Sequence, residues 1–293
     1  MFSPPNSGLA SRLHSFGPAL TAASAFALSD VLGKVVFDSG GDVLTLVSFR
    51  GVVGIAFMFG WLRIGAKTVP MSSRECGIAL CMGVLFAGTV FGLFKAIEAM
   101  DVPTAILAYF IYPLLTGLAA ALTGIESLGW KGAIAAMATF LGLALMIGAH
   151  PGEVAFAGLA FAFGAAVCRM VMLLVTRATL AKADARLSTW YSLLSSTVLF
   201  VAASLITQTW NAPHTVLGWV AMIGISAATV IALLAVFIST NRVGPIRTAL
   251  IMNLEPILAA VLSAIFLDEF VSPIQALGGA IMVAALVAFQ IRR

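Results

Sequence analysis

The sequence predicts an all-α membrane protein with ten transmembrane helices, built as two inverted five-helix repeats. Three observations predict this fold class. Hydrophobic residues make up 61% of the 293 residues, and charged residues make up only 10%. An ordinary soluble domain carries about 25% charged residues and could not bury so much apolar side chain in one core. Finally, apolar segments of about 20 residues, the length that crosses a bilayer, follow one another along the chain.

Short turns rich in Gly, Pro, Asp and Asn separate ten apolar segments, as is typical of loops. We expect a cytoplasmic tail over residues 1–15, a first repeat over 16–150 and a second repeat over 151–293. The loops are too short for a separate soluble domain. The expected spans are 16–36, 43–62, 76–97, 103–123, 129–148, 155–176, 188–208, 216–238, 246–267 and 272–290.

The basic residues predict the orientation of the spans. With the amino terminus in the cytoplasm, twelve of the sixteen Lys and Arg residues fall in cytoplasmic segments. The opposite segments hold only Lys34 and Lys95 near span ends and are otherwise acidic or neutral, with residues such as Asp38 and Glu153. This is the positive-inside distribution of inner-membrane proteins. We therefore expect a multi-pass protein of the bacterial inner membrane with both termini in the cytoplasm.

The start of the chain also resembles a secretory signal peptide, because Arg12 precedes an apolar run and Ala23-Ser24-Ala25 has the form of a cleavage site. The apolar pattern continues past that site to Val36. Cleavage would also leave nine spans and break the duplication described next. We therefore expect the segment to be retained as the first span.

The two halves match when the second is shifted by 143 residues, since Pro113 then falls on Pro256 and Glu126 falls on Glu269. Chance matches between helices rich in Ala, Leu and Gly are the alternative explanation. Each half has an odd number of spans, so the halves must cross the membrane in opposite directions. Such inverted repeats recur in secondary transporters, with the solute site near the midplane.

A resemblance to a known family rests on motifs in spans 2, 4 and 9. These motifs are Phe49-Arg50-Gly51, the stretch from Ala105 to Pro113-Leu114-Leu115 with Glu126, and the stretch from Thr248-Ala249-Leu250 to Glu255-Pro256 with Asp268-Glu269. In these stretches the chain resembles the drug/metabolite transporter superfamily, in particular its ten-helix EamA-type carriers. The resemblance implies an exporter of amino acids, other metabolites or toxic compounds. Within the family, the chain is similar to YddG-type amino-acid exporters. Leu193 stands where a second copy of Arg50 would fall, so a shared basic role is not expected.

Four charged residues stand out deep inside the predicted spans, where charges are costly and usually face a cavity or a partner. Asp30 and Arg50 share a depth, roughly 10 Å from the outer ends of neighbouring spans. This predicts a pair that either lines the pathway or only fixes packing. Glu255 lies near the midplane and could hold a substrate ammonium, carry a coupling proton or neutralise Arg169. Arg169 could instead extend to the cytoplasmic interface.

Span 4 places Tyr109 and Tyr112 on one helical face, which suits the wall of a cavity for an amphipathic solute. Pro113 and Pro256 each remove a helical hydrogen bond near mid-membrane and are the expected hinges, although prolines are frequent in membrane helices anyway. The expected substrate pathway consists of Arg50, Tyr109, Tyr112, Arg169, Asn253 and Glu255.

These features predict export of small organic solutes by alternating access, most of all amino acids with aromatic or other apolar side chains. No nucleotide-binding motif is present, so we expect no cofactor. The scattered basic residues predict no nucleic-acid partner, and the spacing of Cys and His predicts no metal. We expect a monomer whose partners are the substrate and the bilayer. The alternatives are a passive channel or facilitator, a lipid-handling protein, and a membrane enzyme, for which the histidines are too scattered.

Overall fold

The structure, a computed structural model, describes residues 7–65, 68–99, 105, 108–126, 129–147, 156–266 and 273–291. Within these ranges every regular element is an α-helix, which confirms the all-α fold class. The helices are α1 (Ser7–Asp38), α2 (Val43–Ile64), α3 (Ser73–Ala99), α4 (Tyr112–Leu122), α5 (Trp130–Ile147), α6 (Phe156–Thr179), α7 (Ala185–Thr207), α8 (Val216–Val243), α9 (Pro245–Met252), α10 (Glu255–Phe266) and α11 (Pro273–Ile291).

Seven segments of the described chain are long and apolar enough to cross a membrane, which confirms a multi-pass membrane protein. They are Phe16–Asp38, Val43–Ile64, Ser73–Ala96, Phe156–Thr179, Ala185–Thr207, Val216–Val243 and Pro245–Phe266. Shorter apolar helices occupy the other three predicted spans, at Tyr112–Leu122, Trp130–Leu145 and Ala276–Ala285. Part of predicted span 4, residues 103–104 and 106–107, lies outside the described residues. The total of ten crossings stays a prediction.

The outer surface of the bundle is apolar, as a protein dissolved in lipid requires. Ile64 is 89% exposed, Phe156 is 86% exposed and Val216 is 82% exposed. Water would disfavour large aliphatic and aromatic side chains in such number on a soluble monomer. Small and hydroxyl-bearing residues instead fill much of the interior, including Ala165, Ala166 and Thr248, which is typical of packing between membrane helices.

Hydrogen bonds between loops place the helix ends at two opposite faces. At one face the Asn211 N–H donates to the Asp42 carboxylate at 2.6 Å, which joins the end of α7 to the start of α2. At the other, the Val69 N–H donates to Asp184 at 3.2 Å, which joins the loop after α2 to the start of α7. We call the first, which carries Asp38 and Asp42, the acidic face. The second is the basic face, with Arg63, Arg74, Arg177, Arg186, Arg242 and Arg247.

Side chains at these faces fix where several helices begin. Asp42 is the N-cap of α2, because its carboxylate accepts from the Thr45 N–H at 3.0 Å. At the basic face Ser72 and Glu75 form a reciprocal capping box before α3: the Ser72 N–H donates to Glu75 at 2.7 Å, and the Glu75 N–H donates to the Ser72 hydroxyl at 3.3 Å. Such caps satisfy backbone donors that a helix leaves unpaired.

Asp42 combines a helix cap with a link between the halves, so Asp42→Ala should destabilise the protein by about 2 kcal/mol. Partial burial alone would raise the pKa of this carboxyl, but hydrogen bonds from Thr45 and Asn211 outweigh burial and lower that pKa below its ordinary value of 3.8. The stabilisation is therefore complete above pH 3.8 and is lost as the pH falls through the folded-state pKa. Thermal unfolding in detergent at a series of pH values measures this difference.

The control for this prediction is Asp38→Ala, because Asp38 is an exposed carboxylate at the same face. It should leave the melting temperature nearly unchanged. Equal destabilisation by the two variants, or a difference that persists well below pH 3.8, would contradict a specific role for the Asp42 carboxylate.

Helices of the first half pack mainly against helices of the second. The contacts of α1 with α8 correspond to those of α6 with α3, and the contacts of α2 with α8 correspond to those of α7 with α3. Likewise, α1 meets α10 as α6 meets α4, while α2 with α7 and α5 with α11 form self-matching pairs. Exchanging each helix for its counterpart thus maps one set of contacts onto the other, as expected for two similar halves related by a pseudo-two-fold axis.

Small residues bring the halves close together where α3 crosses α7. A Cβ added to Gly83 would overlap the Ser195 hydroxyl and the Ser192 carbonyl oxygen. This approach allows the Ser192 hydroxyl to donate to the carbonyl of Ala79 at 2.8 Å and the Ser195 hydroxyl to donate to that of Leu80 at 2.7 Å. Glycine and serine at the same crossing are a usual solution for tight helix contact in lipid.

Candidate functional site

The helical path of predicted span 9 is interrupted in the middle of the bundle. The first part, α9, ends at Met252, and α10 begins at Glu255 after a turn at Asn253 and Leu254. Pro256 is the second residue of α10 and has no N–H to donate to the carbonyl of Met252. The proline therefore explains why the hydrogen-bond ladder stops at this point.

Predicted span 4 is interrupted at the equivalent place. Residues 108–109 are helical, residues 110–111 form a turn, and α4 begins at Tyr112 with Pro113 as its second residue. A shift of 143 residues places Phe110 on Asn253 and Tyr112 on Glu255. The two prolines thus do more than bend their helices, and each leaves a mid-span carbonyl without its helical partner. Their role as hinges stays a prediction.

An aromatic cluster surrounds the first interruption. The ring centroids of Tyr109 and Phe110 are 5.2 Å apart, those of Tyr109 and Tyr112 are 5.4 Å apart, and those of Phe110 and Tyr112 are 5.8 Å apart. All three side chains are buried. They share one hydrophobic core with Met252 and Ala249, so the two interruptions lie together at the centre of the bundle.

Arg169 on α6 is directed into this aromatic cluster. Its side chain is only 3% exposed, and its guanidinium carbon lies 5.1 Å from the ring centroid of Phe26 on α1 and 5.9 Å from that of Tyr112. Such cation–π contacts stabilise a guanidinium away from water. The alternative that Arg169 extends to the membrane interface is therefore wrong. Its Nε has no hydrogen-bond partner among the described residues.

Glu255 provides negative charge near this aromatic cluster, since it acts electrostatically on Tyr109 and Tyr112. It occupies the first turn of α10 and is half-buried, where the amino end of a helix favours an anion. Arg169 and Asp30 are the charged groups that act on it electrostatically. The neutralisation of Arg169 by Glu255 stays a prediction, because no ion-pair distance of 4.0 Å or less joins the two side chains.

Asp30 on α1 places a second carboxylate near this cluster. It acts electrostatically on Tyr109, Glu255 and Arg50, and its side chain is exposed. A charge inside a membrane span is costly unless it faces a partner or a cavity, and the nearby guanidinium of Arg50 offsets part of that cost.

Arg50 on α2 is the arginine that acts on Asp30. It is half-buried, its guanidinium carbon is 6.0 Å from the ring centroid of Phe86, and its Nη2 has no hydrogen-bond partner among the described residues. Asp30 is the carboxylate that acts on it electrostatically. The predicted Asp30–Arg50 pair does not form a contact ion pair, because no nitrogen–oxygen distance between them is 4.0 Å or less.

The sequence singled out seven residues as membrane charges or pathway residues. The structure brings six of them together, and the seventh, Asn253, lies in the turn that interrupts span 9. Asp30, Arg50, Arg169 and Glu255 act electrostatically on one another or on the tyrosines Tyr109 and Tyr112. Asn253 is 3% exposed in the interruption of span 9. We call this set the central site.

Sequence reasoning missed the rings that contact the two arginines, Phe26 and Phe86. Phe26 precedes Asp30 by one helical turn, so their shared face could have been found from the spacing. Nothing in the spacing indicates Phe86. Within the described residues, no group of three or more His, Cys, Asp or Glu side chains could hold a metal ion.

A match to a family profile identifies the family of this chain. The profile of the EamA-like transporter family matches residues 17–148 and again residues 156–289. The chain belongs to the EamA-like transporter family. Each match falls within one predicted half, so this EamA-like transporter contains the family domain twice. A solved structure described as "Crystal structure of protein" superposes with a TM-score of 0.79 and 18% identity, over 94% of this chain and 97% of its own. That likeness shows the fold. No curated protein matches.

Membership has a direct functional consequence. Proteins of the EamA-like family are membrane transporters of small solutes and not enzymes, so the function of this EamA-like transporter is transport. The central site lies between helices of the two family domains. It contains charged side chains, aromatic rings and the backbone carbonyls that Pro113 and Pro256 leave without helical partners.

Proposed function

We propose that this EamA-like transporter is a secondary-type carrier that exports amino acids, chiefly those with aromatic or other apolar side chains, by alternating access around the central site. The observation that carries the proposal is the accessible Asp30 carboxylate among Arg50, Glu255 and Tyr109. A charged centre within an apolar bundle is costly unless it serves a polar solute.

The charges at this centre suit a zwitterion. Arg50 and Arg169 each keep a buried guanidinium nitrogen without a partner in the described chain, and unsatisfied buried donors are uncommon unless a ligand or water completes them. Either arginine can bind a carboxylate, while Asp30 and Glu255 can bind an ammonium. The rings of Tyr109 and Tyr112 would form the wall for an apolar side chain.

The mechanism rests on two halves inserted in opposite directions. The matched contacts between the halves and the matched interruptions at Pro113 and Pro256 support this arrangement. We infer that the basic face is cytoplasmic and contains both termini, because basic residues concentrate on the cytoplasmic side of inner-membrane proteins. Rocking of one half against the other around the central site would then expose it alternately to each side.

Counterflow in proteoliposomes tests the proposal. Liposomes that contain the purified transporter are loaded with unlabelled phenylalanine or tryptophan and diluted into a trace of the labelled amino acid. We expect saturable uptake that overshoots equilibrium, and no uptake in protein-free liposomes. Aromatic amino acids should be taken up faster than acidic or basic ones. Flux that never saturates would identify a facilitator, and lipid scrambling without amino-acid uptake would identify a lipid-handling protein. Either result overturns the proposal.

A further inference from the structure

A deep apolar groove opens on the lipid-facing side of the bundle, between α1, α2 and α8. Its volume is about 760 Å³, which lies within the usual size range of small-molecule pockets. Almost all of its lining is apolar. The residues used below are Pro18 on α1, Gly60 on α2, and Leu234 and Ala235 on α8.

The groove lies within membrane-spanning segments and near the basic face. Pro18 is close to the start of the span Phe16–Asp38, Ile64 is the end of α2, and Ile238 is near the end of α8. All three of those ends lie at the basic face. Hydrocarbon is the medium at this depth, so the chains of membrane lipids meet the groove at far higher concentration than any soluble molecule.

The groove is not a by-product of the repeated fold, because the equivalent position of the other half is filled. A shift of 143 residues places Pro18 on Phe161 and Phe91 on Leu234. The rings of Phe91 and Phe161 contact each other there, with centroids 6.3 Å apart and an edge-to-face angle of 83°. Proline and leucine at the matching positions leave open space where the other half has an aromatic pair.

Arg63 places a cation at the basic end of the groove. Arg63 follows Ala56, a lining residue, by two helical turns and so lies on the same face of α2 at the basic end of the groove. Its side chain is exposed, with the guanidinium carbon 4.9 Å from the ring centroid of Phe59. The residue of the other half that matches Arg63 is Ile206, although the Lys95 ammonium lies 6.0 Å from the ring centroid of Phe91 in the filled position. The two positions therefore differ in open space, and each has a cation nearby.

We propose that this groove binds one acyl chain of an anionic phospholipid, with its phosphate at Arg63. The apolar lining accepts the chain, and the guanidinium accepts the headgroup charge at the membrane surface. Ala235 belongs both to the groove and to the central hydrophobic core. A bound chain therefore packs against α8 directly behind the central site and stabilises the contact of α1 with α8.

Gly60 offers a clean way to fill the groove. A Cβ added to this residue would meet no atom within 4 Å, so Gly60→Leu should block the acyl chain without disturbing the fold. Arg63→Gln removes the cation and leaves the groove open. The matched control is Gly164→Leu on α6, because Gly164 is exposed and has equally free space around its Cα.

Native mass spectrometry of the full-length protein, released from micelles with palmitoyl-oleoyl phosphatidylglycerol or phosphatidylcholine, measures the bound lipid. We expect the wild type and Gly164→Leu to retain phosphatidylglycerol about five-fold better than phosphatidylcholine, from one arginine–headgroup contact. Arg63→Gln should abolish that preference, and Gly60→Leu should remove the tightly retained lipid.

Three results would overturn the proposal. The first is unchanged lipid retention in both Gly60→Leu and Arg63→Gln. The second is a lipid preference that Arg63→Gln leaves intact. The third is a dimer in the wild type that Gly60→Leu dissociates, since the groove would then be occupied by a second copy of the chain. None of these measurements depends on transport, so the proposal stands or falls separately from the proposed function.

Discussion

Gly83→Val is expected to abolish stable folding of the transporter, or to lower its unfolding free energy by about 3 kcal/mol or more. A side chain at this position would overlap both the hydroxyl of Ser195 and the backbone carbonyl of Ser192. The serine hydroxyl can rotate away, but the carbonyl belongs to the α7 backbone and cannot. The helices α3 and α7 must therefore separate, which also breaks the serine hydrogen bonds to Ala79 and Leu80.

The matched control lies on the same helix. Gly77 is exposed, and a Cβ added there would meet no atom within 4 Å, so Gly77→Val changes the same residue type without a clash. Thermal unfolding in detergent should show a melting temperature about 10 °C lower for Gly83→Val, or no folded protein, and little change for Gly77→Val. Comparable melting temperatures for the two variants would mean that α3 and α7 do not cross this closely.

Composition was sufficient for the fold class, because lipid and water select side chains by polarity alone. The interrupted helices could not be predicted to the same extent. Pro113 and Pro256 indicate a lost hydrogen bond, but whether the helix bends or breaks depends on what packs around it. Here three aromatic rings and the core residue Met252 surround the gaps. Such contacts connect residues far apart in sequence, which a local pattern does not contain.

The sequence predicts how deep in the bilayer the residues of the central site lie, but not which way their side chains point. Counting 1.5 Å per residue along a helix gives the height of a charge in the bilayer, and this placed Asp30 and Arg50 at one level. The direction of each side chain depends on how its helix is rotated by its neighbours. Arg50 therefore faces Phe86 and Arg169 faces Phe26, in place of the direct ion pair that equal depth predicted for Asp30 and Arg50.

Glu255→Gln is expected to reduce amino-acid counterflow by about 30-fold, because Glu255 is proposed to bind the ammonium group of the substrate. Glu255 also acts electrostatically on Arg169, which is 3% exposed. Loss of one hydrogen bond to a charged group costs about 2 kcal/mol, which corresponds to about 30-fold. The initial rate of labelled amino-acid uptake into proteoliposomes measures the effect. The exposed carboxylate Asp38 supplies the control variant Asp38→Asn, which should transport normally.

The double variant Glu255→Gln with Arg169→Gln separates the roles that the single variant combines. If Glu255 only neutralises Arg169, removal of both charges restores the thermal stability and also the transport, because no unpaired charge is left. We expect stability to recover while transport stays low, since Glu255 and Arg169 are proposed to bind the ammonium and carboxylate of the substrate. Recovery of wild-type counterflow in the double variant would contradict that role and leave Asp30 and Arg50 as the charges that bind the solute.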